Sequence, residues 1–198
     1  EIHKAMELYK KVIKLAPDDF YAYNNLGSLY EEIGLYDLAK EMLEKSIEIN
    51  PNFYKSLFNM GIIYERYKDY KKSLEYYNRS LEESKKYHYT YLNISAIYIA
   101  EKDYAKAIEI LTEGIRHNPH AEDLYYNRAC CYSILRKKRL SIEDIRKVLL
   151  INPKIIEYIK RDPDFNNLHN EEEFINIIEK YDKIMLQKLE ENKFRTPK

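Results

Sequence analysis

Pro17 and Pro51 lie 34 residues apart, Pro119 and Pro153 again 34, and the gap between Pro51 and Pro119 is twice that, with Lys85 at the vacant mark. A fixed period of this length, filled each time by two stretches of helical periodicity, restricts the chain to stacked helical hairpins that bury their apolar faces against one another. Other columns keep the same register. Small residues recur at Gly27, Gly61, Ser95 and Ala129, and again at Ala39, Ser73, Ala107 and Ser141, where two helices must approach closely. Large residues fill the space between them: Tyr30, Tyr64, Tyr98 and Tyr132 form one column, and Tyr23, Leu57, Tyr91 and Tyr125 a second. A third column, Tyr36, Tyr70 and Tyr104, is broken by Lys138.

From about Glu1 to Pro153 these columns resemble the tetratricopeptide repeat family, and a bacterial-type array within it. The resemblance implies an all-α fold, a right-handed α-solenoid of antiparallel helix pairs, in which first helices line a concave face and second helices the outer one. Residues 1–19 then form the second helix of a truncated repeat, and four repeats follow at 20–53, 54–87, 88–121 and 122–153. Residues 154–198 hold a degenerate repeat and a capping helix.

Composition agrees with helices and argues against several function classes. Only 4 Gly and 6 Pro in 198 residues leave too few turn formers for a sandwich or barrel. Lys plus Arg and Asp plus Glu both number 33, and no basic run marks a phosphate-binding face, so nucleic acid is not an expected partner. The longest apolar stretch, near Ile94–Ala100, is far short of a membrane span, and no signal-peptide pattern opens the chain. Cys130 and Cys131 are adjacent and have no third thiol to pair with, which fits a reducing compartment. A cytoplasmic location is the expectation. The acceptor patterns at Asn78–Ser80 and Asn93–Ser95 fall inside expected helices and read as chance.

In chain order, Lys4–Leu15 carries apolar residues at helical spacing and ends at Pro17, so an upstream first helix is expected to precede it. The cleanest copy pairs Phe20–Ile33 with Tyr36–Ile49 across Gly34, a residue suited to a left-handed turn. Where Lys85 replaces proline, the second helix of the next copy is expected to run longer. Further helices are expected at His88–Glu101, Tyr104–Arg116, Glu122–Leu135 and Lys138–Ile151, with the last copy drifting most from the pattern. Asp162–Pro163 should stop the following copy, because proline removes a helical hydrogen bond. The phrase Arg161–Phe174 resembles the ending of many bacterial arrays. A last helix at Glu171–Glu191 then presents Phe174, Ile177, Ile178, Tyr181, Met185 and Leu189 on one face, and Asn192–Lys198 is expected to fray.

The candidate site is the concave face that the resemblance assigns to the first helices. Asn25, Asn59, Asn93 and Asn127 recur every 34 residues there, beside the core column Leu26, Met60, Ile94 and Arg128. Asparagine is a mediocre helix former, so four in register call for a reason. A carboxamide offers both a donor and an acceptor, which suits it to the backbone of an extended peptide. The family uses such asparagine ladders in arrays that feed glycosyltransferase domains; the plainer alternative is that each amide bonds within its own helix pair. Around the column the expected lining includes Tyr21, Asn24, Lys55, Phe58, Ile62, Tyr89, Leu92 and Tyr126, with few charges. The family's clamp for acidic chaperone tails is not matched, since only Lys55 and the Asn column agree with it.

No nucleophile motif, phosphate loop or carboxylate pair stands out, so no catalytic residue, metal ligand or cofactor is expected. His117 and His120 flank Pro119 without a third ligand and read as a solvent-facing turn, and Arg136–Arg139 as a solvated corner. Cys130 and Cys131 read as small packing residues, with groove-facing reactivity as the alternative. The chain is thus expected to be a non-catalytic interaction module that binds a protein or peptide as adaptor or scaffold. Two alternatives stay open: the substrate-presenting part of a larger enzyme such as a glycosyltransferase, and a scaffold that forms homo-oligomers through its ends.

Overall fold

The computed structural model describes the backbone of residues 1–195 and the side chains of residues 1–187. Eleven α-helices and two short 3-10 turns make up the regular structure, and no strand occurs among the described residues. The helices are α1 (Ile2–Leu15), α2 (Phe20–Glu32), α3 (Tyr36–Ile49), α4 (Tyr54–Arg66), α5 (Tyr70–Glu83) and α6 (His88–Ala100). They continue with α7 (Tyr104–His117), α8 (Glu122–Ile134), α9 (Lys138–Ile151), α10 (Ile156–Arg161) and α11 (Glu172–Arg195). Two compact units result, Glu1–Thr90 and Tyr91–Lys198, with the division falling inside α6.

The turn inside each copy is the same object four times. Gly34, Lys68, Lys102 and Arg136 all take the left-handed conformation, with φ of 79°, 60°, 62° and 59°. At each, the next residue's N–H reaches back to a tyrosine carbonyl: Leu35 to Tyr30, Asp69 to Tyr64, Asp103 to Tyr98 and Lys137 to Tyr132, at 2.8 to 2.9 Å. This satisfies carbonyls that a helix end leaves without partners. Only Gly34 adopts the conformation without steric penalty. Asp19, Asp69 and Asp103 then cap the following helices through backbone N–H groups of Ala22, Lys72 and Lys106.

Close packing explains the small columns. A Cβ on Gly27 would lie 2.9 Å from Leu43 Cγ, and one on Gly61 only 2.5 Å from the Tyr77 ring. Ala39, Ser73, Ala107 and Ser141 are fully buried opposite. In the first unit Met6, Leu26, Tyr30, Leu43, Met60 and Ile63 form one core. In the second, Ile142, Ile145, Val148 and Leu149 merge with Ile156, Phe165, Phe174 and Tyr181 from the C-terminal elements.

One expectation fails. Helix α5 does not lengthen where proline is missing; it ends at Glu83, with Ser84 in extended backbone whose N–H bonds Ser80. The stop comes from Tyr87, which packs its ring 5.1 Å from Tyr54 and 5.0 Å from Phe58, so the chain must leave the helix axis to deliver it.

After α9 the next copy does break at Asp162–Pro163. Asp162 caps a 3-10 turn, Pro163–Leu168, by accepting from the Asp164 N–H at 2.9 Å. Helix α11 buries Phe174, Ile177 and Tyr181, with Ile178 and Met185 partly covered; it continues to Arg195, beyond the expected Glu191. The side chain of Leu189, and residues 196–198 of the expected frayed tail, lie outside the described residues.

Candidate functional site

In the first unit, helices α2 and α4 lie side by side and their outward faces carry Tyr21, Asn25, Lys55, Asn59 and Ile62. Tyr21 is 56% exposed and Tyr89, at the start of α6, 49% exposed; Lys55 is exposed and makes no ion pair among the described residues. Asn24 and Phe58, both expected on this face, are instead interior, Asn24 being only 4% exposed. The helical turn that points Tyr21 and Asn25 outward rotates Asn24 and Phe58 toward the second helices.

Asn24 organises what is around it. Its Oδ1 accepts from Ser56 Oγ at 3.0 Å and from Asn59 Nδ2 at 3.0 Å, while its Nδ2 donates to Asn25 Oδ1 at 3.1 Å. Ser56 Oγ also lies 2.7 Å from Ser46 Oγ, which donates to the Phe20 carbonyl. Asn25 and Asn59 are therefore fixed by a buried amide that ties one copy to the next. Their outward groups are held in a set orientation, as a binding surface requires.

In the second unit the columns behave differently. Asn127 spends its Nδ2 on the Asp123 carbonyl of its own helix, at 2.8 Å. Leu92 and Asn93 are half-buried on α6. Tyr126 is also half-buried, between Tyr158 and Phe165, and its hydroxyl donates to Asp162. Burial and that bond push the phenol well above its ordinary range. The Asp162 turn thus covers Tyr126 as the next first helix would have done.

The cysteines are both buried and unbridged. Burial pushes Cys131 up to about 11, and burial with Asp162 and Asp164 nearby pushes Cys130 higher. The alternative of a reactive, groove-facing thiol fails, because the thiolate is the nucleophilic form. Cys130, Asp162 and Asp164 bring three ligand atoms within 4.8 Å of one another, with the Asp162 carboxylate already accepting from the Tyr126 hydroxyl. His117 is not solvent-facing as expected: it is half-buried, stacked on Tyr91 at 6.4 Å.

The sequence reading missed a row of rings at the starts of the first helices. Tyr21 meets Phe53 at 5.0 Å, Phe53 meets Tyr54 at 5.9 Å, Tyr54 meets Tyr87 at 5.1 Å and Tyr87 meets Tyr89 at 5.4 Å. The signal was present, since Phe53 and Tyr87 are again 34 residues apart.

Paired helices joined by one repeated turn, with side chains presented from successive first helices, define a helical-repeat interaction scaffold. The chain belongs to the tetratricopeptide repeat family: one family model matches residues 20–53, 88–120 and 122–155, and two further models of the same repeat match 1–34 and 42–75. No curated protein matches in sequence. Among solved structures, MamA is similar with a TM-score of 0.66 at 22% identity, over 79% of this chain and 92% of that one. YrrB, described as a TPR protein with an unusual peptide-binding site, matches with a TM-score of 0.64 at 14% identity, over 90% and 93%. PilF of Pseudomonas aeruginosa matches with a TM-score of 0.66 at 20% identity, over 85% and 75%. These likenesses show the fold. Among the described residues no helix is long and apolar enough to cross a membrane.

Proposed function

We propose that this chain is a non-catalytic adaptor or scaffold that holds an extended segment of a partner protein against its first helices. The observation that carries the reading is the Asn24 network, which holds Asn25 and Asn59 on a face where Tyr21, Lys55 and Tyr89 are open to solvent. An amide fixed in orientation can read a peptide backbone regardless of its side chains. That a similarly folded protein, YrrB, is described with a peptide-binding site supports the reading without identifying the ligand. Asn93 and Asn127 extend the same column and are proposed to take part, Asn127 with the oxygen its own helix leaves over. Two unbridged thiols support a cytoplasmic setting.

The test is affinity capture from a source lysate with the parent chain and with Asn59→Ala plus Asn93→Ala, after circular dichroism shows equal helicity. A partner retained by the parent and lost by the variant is expected. An identical partner list from both proteins would overturn the asparagine-based reading.

A further inference from the structure

The C-terminal part of the second unit carries an inference independent of the peptide-binding reading. We propose that Cys130, Asp162 and Asp164 form a binding site for a divalent cation of the zinc type, which fastens the Asp162 turn to α8.

Geometry is the first argument. Cys130 comes from α8, whereas Asp162 and Asp164 come from the turn that packs on that helix. The Cys130 Sγ and one oxygen of each carboxylate lie within 4.8 Å of one another, the one place among the described residues where three such ligand atoms gather. Around a tetrahedral zinc, with Zn–S about 2.3 Å and Zn–O about 2.1 Å, neighbouring donors stand about 3.6 Å apart. These side chains therefore need to close by at most about 1.2 Å. They are also held in place: Tyr126 donates to one oxygen of Asp162, the Asp164 N–H donates to the other at 2.9 Å, and Ser133 Oγ donates to the Asp164 carbonyl at 2.6 Å. Hydrogen bonds of this kind orient metal-binding carboxylates.

Charge is the second argument. Cys130 is only 8% exposed, and its thiol faces two half-buried carboxylates, neither of which makes an ion pair among the described residues. The neighbouring bases are engaged elsewhere, Lys160 with Glu157 and Asp182, and Arg161 with Glu157. Two adjacent negative charges partly removed from water call for a cation, because buried charges are paired or bind metals. The thiol feels both of them: together with burial they push it up. The donor set then selects among cations. A sulfur among carboxylates favours zinc and its relatives over magnesium or calcium, and the ion displaces the thiol proton into solvent. A partner's ammonium group would use the carboxylates and gain nothing from the sulfur.

The test titrates the reduced, chelator-treated full chain with Co2+, a spectroscopic stand-in for zinc, at neutral pH. The expected result is a near-ultraviolet thiolate-to-cobalt band that saturates at one equivalent, releases about one proton per ion, is bleached by Zn2+ and is indifferent to excess Mg2+. Cys130→Ser should abolish the band and Cys131→Ser should keep it. Asp164→Asn should weaken binding at least about tenfold, the scale on which even a ligand's hydrogen-bond partner matters. Circular dichroism first checks each variant for the helicity of the parent, and the half-buried Asp164 position carries the test if a cysteine variant loses it. Absence of the band, a band that survives in Cys130→Ser, or an affinity unchanged in Asp164→Asn overturns the proposal. None of these outcomes bears on Asn59 and Asn93, which the lysate experiment tests separately.

Discussion

A buried amide in one unit and a largely buried ion pair in the other occupy columns that other copies fill with apolar or aromatic residues, and they solve the problem in opposite ways. In the first unit Asn24 stands in the column completed by Phe58, Leu92 and Tyr126. It joins two copies through neutral hydrogen bonds to Ser56, Asn59 and Asn25. In the second unit Arg128 stands in the column completed by Leu26, Met60 and Ile94, and its partner Asp144 in that of Met42, Tyr76 and Ile110. Their bond is bidentate, at 2.8 and 2.7 Å, with Thr112 taking a further donor and Tyr125 and Tyr132 flanking the guanidinium. The neutral network has spare ways to connect. The ion pair has none, and a buried charge without its partner is costly.

The largest effect is therefore expected from Arg128→Met, which should destabilise the second unit by about 3–5 kcal/mol by leaving Asp144 unpaired. Hydrogen exchange of α8 and α9 amides reads this locally, which matters because repeat units need not unfold together. The loss should depend on pH. Burial already raises the Asp144 carboxyl above its ordinary 3.8, with Arg128 pulling it down, so removing Arg128 raises it further. A carboxyl whose folded value lies above its unfolded one loses stability as pH rises through that interval. The deficit should be full at neutral pH and shrink toward the ordinary carboxylate range; an equal deficit at both would show that packing, not charge, is lost.

Arg128→Ile with Asp144→Ile sharpens the contrast, because it copies Ile94 and Ile110 from the preceding copy. Apolar replacement of a whole buried pair is commonly neutral or stabilising, so the double variant should return to within about 1 kcal/mol of the parent or exceed it. A deficit as large as that of Arg128→Met would mean that the fourth copy depends on this pair for its geometry.

In the first unit, Asn24→Leu copies Leu92 and should cost only about 1–2 kcal/mol, the scale of a lost neutral hydrogen bond. Ser56 can turn its hydroxyl to Ser46, whose own proton already reaches the Phe20 carbonyl, and the half-exposed Asn59 can turn to water. Urea unfolding followed by tyrosine fluorescence measures it. A loss as large as that of Arg128→Met would show that the network cannot reconnect.

Fold and site were legible to different depths, and the reason is geometric. Close approach of helices leaves its mark in residue size, so the packing could be read directly from Gly27, Gly61 and Ala39 in the sequence. The left-handed turn was visible only at Gly34, because Lys68, Lys102 and Arg136 accept the same conformation without the composition to betray it. For the site, a 34-residue column gives which residues are equivalent but not which way they point: Asn24 and Asn25 are neighbours, yet one is core and the other surface. Tyr126 looked like groove lining because the element covering it, the Asp162 turn, belongs to no repeat column. Periodicity could not foresee that contact.

The smallest effect tests the same junction one copy later, where the neutral solution was left unfinished. Phe58 replaces Asn24, and Thr90 replaces Ser56, so the buried Thr90 hydroxyl has no hydrogen-bond partner among the described residues, while Ser80, in the position of Ser46, donates to the Tyr54 carbonyl. A buried hydroxyl without a partner carries a desolvation penalty. Thr90→Val keeps the shape and removes the hydroxyl, so it should stabilise the first unit by about 1 kcal/mol. Ser56→Ala at the equivalent, connected position should cost about as much. The pair of opposite signs is the diagnostic, read as urea midpoints under one condition. If Thr90→Val also destabilised, the hydroxyl would have a partner after all, and the contrast between a completed and an abandoned polar junction would be lost.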